Sequence, residues 1–508
     1  MLSLKELIVV SIIAAVIFWL AKRYTSLFIT PEDFARRRNV WCVLTAAALL
    51  SPNFWIFALV AIPVMAIAGR KDSNPSALYL MLLQVIPQVD VPVPMIGMPY
   101  LFVIDNYLLL SFCVMAPAAL RIIRSKDKPI QGFDLMGFCL LAYGFLTAVL
   151  YIHTQTPNGG LYPSSVTESL RRAFVFFFGV FIPYFTISRS NLNRKVLIDS
   201  IATFCLACAL MAAIAVFESA RHWLLYDMAY RWGYGIPHNV YLARGTNLRA
   251  MASSGHSLAL GHLLVMAFGL WLYLQTLVDS KRLRLGVTVL FLAGLLAAEA
   301  RGAWIAAVLV YFLFAVLRPN PVSRFLTATA VAVVIAVPVY LSPLGDRIVS
   351  VLPFLGGTVD TFNVVYRERL WQRAWQIIQA SPIWGDQAAM IKMQDLRQGE
   401  GIIDLVNSYV GVLLGSGFVG LSVFLAFILI PLFKAWSFSR KFARVDPDFA
   451  LLGASLACCI IGTLLLIGNG SFVGVSERMF YVIAALGAAF AYLGRERQDF
   501  CTTSPGLE

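Results

Sequence analysis

Residues 449–467 read FALLGASLACCIIGTLLLI, an uncharged run long enough to cross the hydrocarbon core of a bilayer as one helix. Outward from this run, apolar stretches of helix length recur at 476–494, 405–433, 325–342, 302–317, 285–300, 256–277, 197–217, 170–187, 134–152 and 101–120. They lack the alternation of barrel strands, and backbone amides in lipid need internal partners, so the predicted fold is all-α. The pattern predicts a polytopic membrane protein with about 13–15 transmembrane helices.

The composition excludes the soluble classes of protein. Hydrophobic residues make up 59% of the 508 and charged residues 13%, whereas ordinary soluble domains carry about 25% charged residues. The apolar segment from Leu7 to Leu20 is followed by Lys22 and Arg23 without a small-residue cleavage pattern, which predicts an anchor. Residues 39–69 exceed one helix, and a hairpin that turns near Ser51-Pro52-Asn53 is expected there.

The net charge of +13 reports topology and does not indicate a nucleic-acid partner, because most of the 40 Lys and Arg residues lie in short loops between alternate spans. The loops at 88–100, 153–167 and 468–475 contain neither Lys nor Arg. By the positive-inside rule the basic loops and the C-terminus are cytoplasmic, so the arginine-free loops face the periplasm of a bacterial inner-membrane protein.

Two long external segments, 218–255 and 343–402, stand out in what we expect to be a single membrane domain over 1–508. The first combines many aromatic residues with arginines that include Arg244 and Arg249. Aromatic faces stack on sugar rings and guanidinium groups grip phosphates, a mixture that suits a glycan on a phosphorylated lipid. An interfacial aromatic belt with snorkelling arginines is the alternative.

The second segment contains YRERLWQRAWQIIQA at 366–380, where apolar residues recur at helical spacing. It predicts an amphipathic helix at the membrane surface, stopped by Ser381-Pro382. Four side chains on it are candidates for holding pyrophosphate and glycan: Arg367, Arg369, Arg373 and Trp371. A plain surface helix is the alternative.

Three further arginines lie at external ends of spans. Arg301, in the turn Glu299-Ala-Arg-Gly-Ala-Trp304, is a functional candidate because a charge at membrane depth is costly without water or a partner. Glu299 is the alternative explanation, as that partner. Arg171 and Arg172 open the span at 170–187 as either anchors or pocket residues.

At these residues the chain resembles the O-antigen ligase and Wzy-type polysaccharide polymerase superfamily, over roughly 240–425. The resemblance rests on motifs in the family's order: Arg249 before Ser254-Gly-His256, Ala300-Arg-Gly-Ala-Trp304, Arg367-x-x-Leu370-Trp371 with Pro382-Ile-Trp-Gly385, and Asn407 followed, after nine intervening residues, by Gly417-Phe-Val-Gly420. Ligases of the family have histidine before that asparagine, and here Val406 stands in its place. This difference favours the polymerase branch over the ligase branch.

The resemblance implies attack by a sugar hydroxyl on the anomeric carbon of a glycan carried by undecaprenyl pyrophosphate, on the periplasmic side. Arginines could neutralise the leaving pyrophosphate, so neither a cofactor nor a metal is expected. Asp404, Glu299 and His256 are unranked candidates for the general base, and Asn407 is a candidate for substrate binding. Asp446-Pro-Asp448 is predicted to be a turn and helix N-cap.

The expected partners are the lipid-linked oligosaccharide and membrane lipids, with a chain-length regulator and a flippase of the same pathway. Two alternatives stay open. A ligase would transfer the glycan to lipid A core or to a protein. A lipid-glycan flippase or other transporter would need intramembrane acids, for which Asp105 is the clearest candidate.

Overall fold

A computed structural model describes residues 3–125, 134–153, 166–234, 242–244, 247–318, 361–397 and 403–503, with positions 322, 323, 326 and 329. The span predicted at 325–342 falls outside the described residues except for two positions, as does 343–360 of the second external segment. The principal helices are α1 Leu4–Thr25, α2 Pro31–Leu50, α3 Phe54–Lys71, α4 Pro75–Leu82, α5 Asn106–Arg124, α6 Leu135–His153, α7 Val166–Ser190, α8 Arg194–Arg221, α9 Ser257–Leu274, α10 Lys281–Ala297, α11 Arg301–Val316, α12 Thr361–Ala380, α13 Ser408–Phe442, α14 Pro447–Asn469 and α15 Val475–Thr503.

The prediction of an all-α polytopic membrane protein is confirmed. The structure is 79% helical, and nine helices in the described part of the chain are long and apolar enough to cross a membrane. Their burial orders them from the centre outward, since 94% of the apolar window of α9 is buried, against 17% for α1. We conclude that α9 forms the centre of the bundle and that α1 presents most of its surface to lipid.

The N-terminal part of the chain, up to Asp105, contains one confirmed prediction and one error. The hairpin is present, because α2 ends at Leu50 and the Asn53 side chain caps α3 by accepting from the amide of Ile56 at 3.0 Å. The reading of Asp105 as a mid-span acid is wrong, because Asp105 is the N-cap of α5. Residues 103–104 pair as a short strand with 91–92, so the helix starts later than its hydropathy indicates.

Helix α13 extends past the span predicted at 405–433, to Phe442, because Lys434, Arg440 and Lys441 continue the helix instead of opening a loop. Long basic side chains are good helix formers and can extend from the bilayer toward water. The chain turns at Asp446, whose side chain accepts from the amide of Phe449 at 2.9 Å. This confirms the predicted turn and N-cap.

Several basic loops lie at one end of the bundle and are connected by ion pairs. We call this the Asp446 end, after the acid that pairs with two of the arginines there. Arg194, at the start of α8, and Arg497, near the end of α15, both pair with Asp446. Buried Arg37 also bridges Asp72 and Asp199, at 2.8 and 2.6 Å, and so ties α2 and α3 to α8. The opposite end, where α9, α11, α13 and α15 begin, is called the Asn407 end.

Candidate functional site

The loop before α9 is anchored at the Asn407 end by a carboxylate. Glu218, fully buried in the last turn of α8, accepts from the amides of Leu225, Met251 and Ala252 at 2.9, 3.0 and 2.7 Å. These bonds fix the chain immediately after Arg249. Local sequence gives no sign of this role for Glu218, because Met251 and Ala252 lie 33 and 34 residues away.

We expect Glu218→Gln to lower the free energy of unfolding by about 2 kcal/mol, because an amide has one acceptor oxygen and would face amide donors with its own NH₂ group. Thermal unfolding of the purified variant would measure the loss. Glu496→Gln, an exposed glutamate in α15, is the matched control. Equal stability of the two variants would contradict the anchoring role.

Arg249 and Arg301 lie at one corner of the bundle. The Arg249 side chain is buried, and its Nε donates to the carbonyl oxygen of Ala298 at 3.4 Å. The next residue, Ala250, donates its amide to Ala297 at 3.0 Å. Half-buried Arg301 starts α11 only three residues after Ala298. Two arginines separated by about fifty residues in sequence therefore both adjoin the α10–α11 turn.

The turn between α14 and α15 connects this corner to Asp404. A Cβ atom placed on Gly302, beside Arg301, would lie 3.6 Å from Cβ of Asn469. In the same turn, Gly470 accepts from the Ser408 hydroxyl at 3.0 Å, and Ser471 donates its hydroxyl to Oδ1 of Asp404 at 2.7 Å. In the sequence the 468–475 loop is distinguished only by its lack of Lys and Arg. In the structure it lies between the Arg301 turn and Asp404.

Asp404 is held from three sides. Its Oδ1 accepts from the amide of Val406 at 3.0 Å as well as from Ser471, and its carbonyl accepts from the Tyr366 hydroxyl at 3.4 Å. Burial raises the pKa of Tyr366, so this hydroxyl remains a donor. Tyr366 immediately precedes Arg367 in the second turn of α12, which places that turn beside Asp404.

The predicted amphipathic helix exists as α12, but its apolar face packs on protein. Leu370, Ala374, Ile377 and Ile378 form a buried cluster with Val410, Leu413 and Leu414 of α13. Arg367, Arg369 and Arg373 lie on the exposed side, as does Trp371, which stacks on Trp375 with 5.8 Å between ring centroids. The cluster therefore fixes α12 against α13, so contact with lipid is not needed to bury its apolar face.

The two glycine motifs meet each other. Gly417 interrupts α13 with φ 62°, and the amides of Phe418 and Val419 donate to Pro382 and Ile383 at 2.9 and 3.2 Å. A Cβ atom on Gly417 would lie 2.2 Å from the carbonyl oxygen of Ile383. The Pro-x-x-Gly segment at 382–385 and the Gly-x-x-Gly segment at 417–420 therefore pack backbone against backbone, and we call this contact the glycine joint. It holds the end of α12 against α13.

Gly417→Ala is expected to cost about 3 kcal/mol or more of stability, because alanine has both a left-handed backbone and a backbone clash to overcome. Gly415→Ala is the control, since its Cβ would meet the Gln387 side chain at an ordinary 3.5 Å. Thermal unfolding in detergent measures both variants. A Gly417 variant as stable as the Gly415 variant would show that the joint is not fixed as described.

Backbone strain is concentrated at the Asn407 end. Among the described residues, the non-glycine positions with positive φ are His222, Ala252, Glu299 and Val406, at 50°, 47°, 46° and 54°. Each lies at a helix end or loop of the candidate site. A β-branched valine rarely adopts this conformation, and such strain persists where the surrounding contacts fix it and is common at functional sites.

The structure separates the three candidates for the general base. His256 caps α9, and its Nδ1 accepts from the amide of Leu258 at 3.1 Å, so that lone pair is engaged. Glu299 is half-buried in the turn before Arg301. Asp404 accepts both of its side-chain hydrogen bonds on Oδ1 rather than Oδ2, and this makes it our preferred candidate.

The other predicted substrate-binding residues form contacts within the protein. Arg171 donates to the carbonyls of Leu101 and Tyr100 and pairs with Glu168, while Arg172 lies over the ring of Tyr151. Asn407 caps α13. Arg373 donates to Gln376 and Lys392. The backbone of Arg244 pairs with Asn247 in a short hairpin just before Arg249.

A known protein family matches part of the chain. Residues 286–425 match the family model Wzy_C, described as O-Antigen ligase. This segment is well under half of the chain, yet it includes Arg301, Arg367, Asp404 and both halves of the glycine joint. A search of curated proteins gave no significant match. The family implies an enzyme that transfers glycosyl groups. Over this segment, the chain is similar to the O-antigen ligase family.

Proposed function

We propose that this protein is a polysaccharide polymerase that transfers a glycan from undecaprenyl pyrophosphate to a hydroxyl of an acceptor lipid-linked glycan. The observation that carries the proposal is a series of neighbouring groups: Arg249 donates to the turn that precedes Arg301, Gly302 lies beside Asn469, and Ser471 of that loop donates to Asp404. The series lies within or beside the segment that matches a family of lipid-linked glycan enzymes. It brings cationic groups and a carboxylate to one end of a membrane bundle.

The side of the membrane follows from charge. Basic loops occupy the Asp446 end, so the positive-inside rule makes that end cytoplasmic and the Asn407 end periplasmic. The periplasmic assignment suits an enzyme that meets lipid-linked glycans after they have crossed the inner membrane. In this arrangement the C-terminus of α15 is cytoplasmic, and the external segments 218–255 and 343–402 belong to the same membrane domain as the spans.

In the proposed reaction, the acceptor hydroxyl attacks the anomeric carbon and gives its proton to the Asp404 carboxylate. The bond between the anomeric carbon and the pyrophosphate oxygen breaks, and the lipid pyrophosphate leaves with the electron pair. Arg249 and Arg301, with Arg367 in the second turn of α12, neutralise the charge that develops on this leaving group. Planar guanidinium groups suit phosphate oxygens because they bind them bidentately.

Purified protein with a lipid-linked repeat unit provides the test. Extension of the lipid-linked chains, resolved by gel, is expected for the wild-type protein. The expected product carries more than one repeat on a single lipid carrier. Recovery of only single repeats, under conditions where the substrate is intact, would reject the polymerase assignment.

The second candidate function is that of a ligase, which the match to the O-antigen ligase family supports as well as it supports a polymerase. Val406, where ligases of the family carry histidine, favours the polymerase. Deletion of the gene separates the two: loss of long polymer from the lipid carrier indicates a polymerase, whereas polymer that accumulates on the carrier and is lost from lipid A core indicates a ligase. The transporter hypothesis is weakened, because its clearest candidate acid, Asp105, caps α5 and pairs with Arg478.

A further inference from the structure

An apolar groove lies apart from the candidate site, in the half of the bundle nearest the Asp446 end. Its volume is about 540 Å³, within the range of about 300–1,000 Å³ that is common for small-molecule sites. Four helices form it: α1 between Ile17 and Phe28, α8 between Ala202 and Ala209, and the adjoining ends of α9 and α10. None of these segments takes part in the contacts that link Arg249 to Asp404.

The groove is apolar along its length and cationic at its rim. Most lining side chains are aliphatic or aromatic, and of the described residues that line it Arg282 is the charged one. The indole nitrogen of Trp271 donates to the hydroxyl of Thr288 at 3.0 Å. This bond holds α9 to α10, so that the groove is fixed on that side, and it satisfies the polar atom of the tryptophan.

The length of the groove matches one leaflet. From Arg282 to Leu290 its wall follows α10 for about 12 Å at the helical rise, a little less than half of the hydrocarbon thickness of a bilayer. The rim is the helix end where the basic loops meet, with Lys22 and Arg23 on α1 and Lys281 beside Arg282. Within the described part of the chain, Arg282 forms no ion pair with an acidic side chain.

From these features we infer that the groove binds an anionic phospholipid of the cytoplasmic leaflet, with an acyl chain along α1 and α10 and the phosphodiester at Arg282. An acyl chain is in an apolar medium both in the bilayer and in the groove, so the groove itself does not distinguish one class of lipid from another. It favours only chains that fit its shape. The headgroup supplies the selection, since juxtamembrane basic residues attract anionic lipids. A zwitterionic lipid would fill the same space with a weaker contact at the rim.

Photocrosslinking in nanodiscs tests this inference with the full-length protein. One disc preparation contains phosphatidylglycerol with a diazirine on its acyl chain, and the other contains phosphatidylethanolamine with the same chain. We expect phosphatidylglycerol to label peptides over 271–290 several-fold more strongly than phosphatidylethanolamine. Equal labelling by the two lipids, or displacement of the phosphatidylglycerol probe by polyprenyl phosphate in preference to unlabelled phosphatidylglycerol, would overturn the inference.

Two substitutions locate the lipid. Arg282→Gln is expected to lower the preference for phosphatidylglycerol by roughly fivefold, the effect of one interfacial cation, while Arg284→Gln, a matched change two residues away and outside the lining, keeps it. Gly286→Leu should reduce labelling of this segment by both lipids, because a Cβ there enters space free of other described atoms within 4 Å.

Leucine is also a better helix former than glycine, so this filled variant should remain folded. Labelling at Phe145, a lipid-exposed residue of α6, serves as the internal reference and should not change. Unchanged labelling of 271–290 in the Gly286→Leu variant, or equal effects of the Arg282 and Arg284 substitutions, would show that the lipid does not occupy this groove.

Discussion

Replacement of Arg249 or Arg301 by lysine is expected to lower the rate of chain extension by about 10²-fold or more, the loss typical when one preorganised donor to a developing anion is removed. Lysine keeps the positive charge but offers a point charge in place of a planar fork. If the two side chains only neutralised charge in a general way, lysine would suffice. The initial rate with purified protein and lipid-linked repeat units measures the difference.

Two controls make this result specific. Arg221→Lys changes an exposed arginine at the same end of the bundle and should keep a near wild-type rate. Thermal unfolding of each variant shows whether the buried Arg249 corner has simply lost its packing. Near-normal rates for both lysine variants, with stability retained, would remove the arginines from the proposed mechanism and with them the reason for placing the leaving group at this corner.

Hydropathy and charge placement predicted the membrane bundle because both depend on local sequence. Runs such as 449–467 identify spans without reference to any other part of the chain. The error at Asp105 has a physical cause, since a residue at the edge of an apolar run can be either within a helix or its N-cap. Hydropathy averages over that boundary, and here a two-residue strand pair shifted it.

The sequence predicted which residues could form the candidate site, but not the contacts that hold them in place. The arginines were visible because charge is unusual in such a chain, and the motif spacing indicated Asp404 through its position before Asn407. The supporting contacts were not visible. Glu218 holds amides 7 to 34 residues away, Ser471 reaches Asp404 across 67 residues, and neither serine nor glutamate there forms a recognisable pattern.

The strained backbone was equally hidden. In the sequence Val406 is an ordinary apolar residue, and nothing near it predicts its left-handed conformation. The Val406 amide and the Ser471 hydroxyl both donate to Asp404, and these two bonds help to hold the segment in this conformation. The site is therefore specified by long-range contacts that no single motif contains.

Asp404→Asn is expected to lower the rate of chain extension by about 10²–10⁴-fold, the usual contribution of a general base. Asparagine can still accept from the Val406 amide and the Ser471 hydroxyl through its own Oδ1, so the local backbone should hold its shape. What the substitution removes is a carboxylate that can take a proton from the acceptor hydroxyl. Binding of the lipid-linked donor should therefore change little while turnover falls.

The same measurement on two other variants separates proton transfer from positioning. Ser471→Ala removes one hydrogen bond to Asp404 but leaves the carboxylate, so its effect should be much smaller than that of Asp404→Asn. Asp395→Asn, an exposed carboxylate in the same connection between α12 and α13, should leave the rate near that of the wild type. If Ser471→Ala proved as damaging as Asp404→Asn, Asp404 would be a positioning residue, and the base would have to be sought at Glu299 beside Arg301.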